Sequence, residues 1–144
     1  MADDALILAR RCADAMWAND HATRGLGIEL IEVGPGRASM AMTVRESMAN
    51  GQGICHGGFI FALADSAFAF ACNAYGPMAV AQHCAVTFLR PGKVGDRLTA
   101  EAVERTRAGR SGIYDVSVKR ADRALIAEFR GHSRVVDGAW VDSA

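Results

Sequence analysis

A long apolar segment set among six strand-like segments predicts an α+β domain, a curved antiparallel β-sheet wrapped around a long central α-helix. Two observations carry that reading. From Gly57 to Ala74 the chain is apolar on nearly every helical face, so a helix there has to be enclosed by something concave. The strand-like segments are mostly joined by short turns, and short turns favour antiparallel neighbours because parallel ones need long crossovers.

In chain order, Leu6, Ala9, Ala13 and Met16 recur near helical spacing and predict a helix from Asp3 to Trp17, with Asp3 or Asp4 as its N-cap. Strands are expected at Leu26 to Val33 and Arg37 to Val44, joined by the turn Gly34-Pro35-Gly36. A polar, glycine-bearing loop over 45–56 delivers the chain to the apolar helix. After Tyr75-Gly76-Pro77, four more strands follow at Met78 to Leu89, Arg97 to Arg107, Ile113 to Arg120 and Leu125 to Val136. No repeat or low-complexity linker interrupts them, so residues 1–144 read as one domain.

Composition narrows the function. The 144 residues are 51% hydrophobic, enough for one real core and too few for two ordinary domains. Lys plus Arg number 16 and Asp plus Glu number 16, so no overall positive field exists to gather nucleic acid or anionic membrane. The absence of net charge also removes self-repulsion and favours a homo-oligomer. Gly57 to Ala74 approaches membrane-spanning length but carries Asp65 and Asn73, which fit a buried core helix better than a bilayer. Cys12, Cys55, Cys72 and Cys84 form no CxxC pair and read as reduced, packed thiols. With acids first and no basic-then-apolar leader at the N-terminus, a cytoplasmic protein is expected.

The chemistry concentrates between Asn50 and Asp65. Gly57 and Gly58 open the apolar helix and leave its first amides uncovered at the positive end of the helix dipole. Those donors suit a carbonyl or oxyanion; the alternative is that the glycines serve only a tight turn. Asp65 is the one charged residue of the apolar run, and an unpartnered buried carboxylate costs several kcal/mol, roughly, so it has either a partner or a task. A general base or nucleophile is the sharper reading, a satisfied structural acid the plainer one. His56 either caps the helix or polarises a carbonyl, and Asn50 either braces the loop or positions substrate. Ser66 reads as a helix-surface residue or a supporting donor.

Other chemistries have less support. His21, His56, His83 and His132 are scattered and lack zinc-ligand spacing, so no metal site is expected. His83, in a strand, reads as a core or interface residue. There is no GxSxG elbow and no P-loop, and adjacent Cys55 and His56 on a loop are expected to point apart. Asp65 follows the glycine pair by seven or eight residues, which at about 1.5 Å per residue separates them by roughly 10–12 Å. A base needs to lie within about 3 Å of its target or one water away, so a two-fold dimer sharing its sites is expected.

The run NGQGICHGGFIFALADSAFAFACNAYG, followed by VTFLRPGKVGD, resembles the hotdog-fold thioesterases of the phenylacetate-degradation (PaaI-type) family. The resemblance extends from Leu26 to Val136. It implies a hotdog fold, assembly as dimers or a dimer of dimers, and hydrolysis of acyl-CoA thioesters such as phenylacetyl-CoA and its ring-hydroxylated relatives. It implies Asp65 as the catalytic acid, Gly58 or Gly57 as the backbone donor to the thioester carbonyl, and Asn50 and His56 as positioning residues. Gln52 stands where similar sequences commonly carry a loop histidine, and Gln82 lies where relatives often place a Ser or Thr that orients water. Arg90 and Arg110 are expected near the CoA phosphates, and Phe59, Phe61 and Leu63 around the acyl group. No metal or redox cofactor is implied. A hotdog hydratase or dehydratase, and a noncatalytic acyl-CoA-binding protein, remain the alternatives.

Overall fold

The computed structural model describes residues 2–142. Helix α1 (Ala2–Asn19) buries Ala9, Cys12, Ala13 and Met16, the stripe that its spacing predicts. Asp3 and Asp4 lie inside its first turn rather than at the cap, where they still face the positive end of the dipole. A second short helix, α2 (His21–Gly25), is absent from the sequence expectation. Asp20 caps it, its carboxylate accepting from the Thr23 amide at 3.0 Å and the Thr23 hydroxyl at 2.7 Å. Because Leu26 completes the end of that helix, strand β1 begins at Glu29 (Glu29–Gly34), later than expected.

The remaining elements are β2 (Arg37–Thr43), a 3-10 turn (Glu46–Met48), α3 (Gly57–Cys72), β3 (Pro77–Phe88), β4 (Arg97–Ala108), β5 (Ser111–Arg120) and β6 (Leu125–Ala139). All six expected strands are present, with ends moved by a few residues. They form one antiparallel sheet in the order β1-β2-β4-β5-β6-β3. Gly36, at a φ of +66°, makes the β1–β2 turn that a residue with a Cβ would strain.

The sheet packs one face on α3. Leu63, Ala64, Ala67, Phe68 and Ala71 of the helix join Met40, Met42, Leu98, Val116 and Phe129 of the strands in one core. Phe68 lies 5.6 Å from Tyr114 and 5.8 Å from Phe129 between ring centroids, which joins the helix to β5 and β6. The helix ends at Cys72, two residues short of the expected Ala74, with Asn73 as its C-cap. The buried Asn73 amide donates to the Ala69 and Ala79 carbonyls and accepts from the Ala79 amide and the Trp140 indole, so every polar atom is satisfied. That clamp fixes the helix to the start of β3. Among the described residues, no helix is long and apolar enough to cross a membrane.

Candidate active site

Residues 45–56 place the start of α3 against the edge strand β3. Asn50 organises the loop: its Oδ1 accepts from the Gln52 and Ile54 amides at 3.0 and 3.3 Å, and its backbone amide donates to the Ile54 carbonyl at 2.8 Å. The loop-bracing reading of Asn50 is therefore seen directly. Its Nδ2 has no acceptor among the described residues, and Asn50 also lines a cleft of about 480 Å³ at the helix start.

His56 is the N-cap of α3, its Nδ1 accepting the Gly58 N–H at 2.9 Å. The first free turn is thereby divided. The Gly58 amide is occupied by the cap, whereas the Gly57 amide has no acceptor among the described residues and lines the cleft. Of the two glycine donors expected from the sequence, Gly57 is the one open to a ligand in this chain. A Cβ there would lie 2.9 Å from Cζ of the half-exposed Phe88 ring, which would have to shift.

Asp65 sits on α3, half-buried, and its carboxylate has no hydrogen-bond or ion-pair partner among the described residues. Burial pushes its pKa above the ordinary carboxylate value. It is close enough to Cys72, at the end of the helix, and to Cys84, on β3, to raise both thiols, although burial is the larger cause for each. Burial pushes Cys72 up to about 12. Asp65 is therefore within electrostatic reach of β3, the strand whose Phe88 approaches Gly57. Ser66 points elsewhere, its hydroxyl 2.9 Å from that of Thr23, and ties α2 to α3.

The other expected residues divide. Arg90 lines the cleft with Asn50 and Gly57, and its guanidinium donates to the Leu125 carbonyl at 2.9 Å. Gln52 is exposed on the loop, and exposed Gln82 lies at an irregularity of the β3–β6 ladder between Ala81 and His83. Arg110 does not line the cleft. It stands at the β4–β5 turn and lines a separate pocket with Cys72, at the opposite end of α3. Phe59, Phe61 and Leu63 do not line the cleft either. Leu63 is 0% exposed in the core, Phe61 packs on Phe129 at 5.4 Å, and Phe59 packs against the His56 ring at 6.2 Å. Ile54, Ile60, Phe88 and Leu89 supply the apolar wall instead. Cys55 is buried with its pKa raised, and its thiol meets only the His56 backbone carbonyl, so no thiolate–imidazole pair forms.

Similarity to known proteins agrees with this architecture. Residues 52–127 match the family model of the Thioesterase superfamily. The chain is 45% identical over 132 residues to the acyl-coenzyme A thioesterase PaaI of Escherichia coli, covering 92% of this chain and 94% of that protein. The solved structure of the E. coli PaaI protein, from the phenylacetic acid degradation operon, superposes with a TM-score of 0.90 over 92% of this chain and 96% of that one, at 44% identity. A mutant of the phenylacetic acid degradation protein PaaI from Thermus thermophilus superposes with a TM-score of 0.78 over 81% of this chain and 100% of that one, at 39% identity. With a sheet wrapped on a glycine-initiated helix and these relatives across most of its length, the chain belongs to the thioesterase superfamily as a hotdog-fold hydrolase of the PaaI type.

Proposed function

We propose that the protein hydrolyses acyl-CoA thioesters, with phenylacetyl-CoA and hydroxyphenylacetyl-CoA as the substrate class. The observation that carries this reading is Asp65, a half-buried carboxylate with no partner among the described residues, on the same helix as the free Gly57 amide. A carboxylate kept without a partner at that depth is available to react.

In this reading the thioester carbonyl accepts from Gly57 N–H and from His56, which hold the negative charge that develops on oxygen. Asp65 removes a proton from water, and the resulting hydroxide adds to the carbonyl carbon. Collapse of the tetrahedral intermediate breaks the carbon–sulfur bond, and the departing CoA thiolate takes up a proton. In the covalent variant the Asp65 carboxylate itself adds, expels CoA thiolate, and leaves an anhydride that water cleaves. Both routes need Asp65 ionised, and neither needs a metal or redox cofactor. A cleft of about 480 Å³ is suited to an acyl group of aromatic size. Arg90 at its rim supplies positive charge toward the CoA phosphates.

A homodimer completes the site. Gly57 and Asp65 are eight residues apart, about 12 Å along the helix, and too far apart to serve one carbonyl. Both lie within reach of β3, a 12-residue edge strand whose Val80 and Phe88 are 50% and 49% exposed. A second copy pairing antiparallel at that edge reverses both strand and helix, so each Asp65 faces the other protomer's helix start. Arg110, remote from the cleft of its own protomer, is then available to CoA bound mainly by another. Two such dimers form the dimer of dimers. Reduced thiols and a CoA thioester substrate both fit a cytoplasmic enzyme.

Release of free CoA from phenylacetyl-CoA, followed with a thiol reagent, tests the reading. Hydrolysis gives thiol and phenylacetate in equal amounts. A hydratase or a noncatalytic acyl-CoA-binding protein gives neither, and that result would reject the proposal.

A further inference from the structure

The fold brings together two of the four histidines. His83, on the edge strand β3, is the direct cross-strand partner of His132 on β6. Their ring centroids are 5.2 Å apart at an interplanar angle of 75°. His83 is exposed and His132 half-buried, and neither ring has a hydrogen-bond or ion-pair partner among the described residues. His132 falls in the alternating register of Glu128 and Arg130, opposite the core-facing Phe129 and Gly131, so the pair lies on the outer face of the sheet, away from α3. The thioesterase chemistry makes no use of it.

The spacing has a chemical meaning. An imidazole nitrogen binds zinc at about 2.0–2.1 Å, which puts each ring centroid about 3.2 Å from the ion, and two rings at a tetrahedral angle then have centroids about 5.2 Å apart. We propose that His83 and His132 form a two-imidazole site for a tetrahedral divalent transition-metal ion, of which Zn²⁺ is the type, with water in the remaining positions. Neutral imidazole is the ligand class that such ions prefer. The ion links β3 to β6 and stiffens the strand pair beside the proposed dimer seam.

The surroundings set the strength. Arg130, at 2.7 and 2.9 Å, and Arg105, at 3.4 Å, share the one carboxylate of Asp115, and the side chain of Arg134, in the same strand register as Arg130, has no ion-pair partner among the described residues. With two protein ligands and a net positive charge nearby, the expected dissociation constant is on the order of micromolar.

The test is titration of the full chain with Zn²⁺ against a chromophoric chelator at about pH 8, where free imidazole is neutral. Thermal melts run in parallel. The expected result is one ion per chain, affinity at least about tenfold weaker in both His83→Gln and His132→Gln, and affinity a few-fold tighter in Arg134→Gln. At ion concentrations about a hundredfold above the dissociation constant, the wild-type melting temperature rises by about 9 °C and that of the histidine variants does not. Both histidines are on the outer face, and unchanged ion-free melts of their variants show the fold intact. Absence of Zn²⁺ binding, or binding that survives both histidine substitutions as thiol-held zinc would, overturns the proposal. Neither outcome depends on the acyl-CoA reading.

Discussion

The Gly58 N–H donates to His56 Nδ1 at 2.9 Å, and a backbone amide can only donate, so Nδ1 is the unprotonated nitrogen of that ring. The neutral imidazole then carries its hydrogen on Nε2, which becomes a donor directed away from the cap. One side chain is in this way the helix cap and is also free to act as the oxyanion donor of the proposed mechanism. The two alternatives that the sequence leaves open for His56 are compatible.

The two roles separate by mutation. His56→Ala removes cap and donor together, lowering stability by about 1 kcal/mol and the hydrolysis rate by about a hundredfold. Asn is among the better N-cap residues, so His56→Asn recovers the melting temperature while the rate stays low. Thermal melts and kcat/KM measured on both variants check this. Recovery of rate along with stability would make His56 a cap alone.

Asp65 predicts a pH dependence of both stability and rate. Burial holds its folded pKa above the ordinary value of 3.8, so protonation favours the folded state. The contribution is complete below 3.8 and lost as pH rises through the folded pKa. Near neutral pH, Asp65→Asn therefore melts at or above the wild-type temperature, and its advantage closes as pH falls into the ordinary carboxylate range. Hydrolysis runs the opposite way, falling with pH as the carboxylate protonates, with a midpoint above 3.8.

The Gly57–Phe88 contact predicts a coupled pair. A methyl group at Gly57 would meet Cζ of Phe88 at 2.9 Å and drive the ring into the cleft. Gly57→Ala costs about 1 kcal/mol and raises KM for aromatic acyl-CoA substrates by about tenfold. Adding Phe88→Leu makes room and restores most of the stability. A double-mutant cycle with no coupling would show that the ring yields freely.

The order of elements and the enclosed helix were legible because α3 has no polar face and the strands alternate between short turns. The helix α2 was not: five residues hold no periodicity, and the Asp20 cap is its only local signal. Which residues of the apolar helix line the cleft was hidden for the same reason that the helix was easy to find. In a segment apolar all round, nothing distinguishes the buried Leu63 from the cleft-lining Ile60, and the rest of the wall comes from Phe88 and Leu89 at the end of β3. Pairing His83 with His132 required the β3–β6 register, and placing Arg110 away from Arg90 required the β4–β5 turn to lie beyond the far end of α3. Neither follows from spacing along the chain.

Sharing of sites between protomers predicts complementation. Under subunit exchange, inactive Asp65→Asn and His56→Asn chains form hybrid dimers with one doubly altered site and one intact site. With random exchange half the dimers are hybrids, which restores about a quarter of wild-type activity. Exchange demonstrated by mass without any recovered activity would place both residues in one protomer's site.

The most direct measurement is free CoA released from phenylacetyl-CoA by wild type and by Asp65→Asn, side by side and with matched thermal melts. The amide is nearly isosteric but is neither a base nor an anionic nucleophile. The expected result is stoichiometric thiol release by the wild type and a loss of at least about a thousandfold in the variant, with the fold retained. Wild-type turnover by a folded Asp65→Asn protein would contradict the account and leave Asp65 as a structural acid.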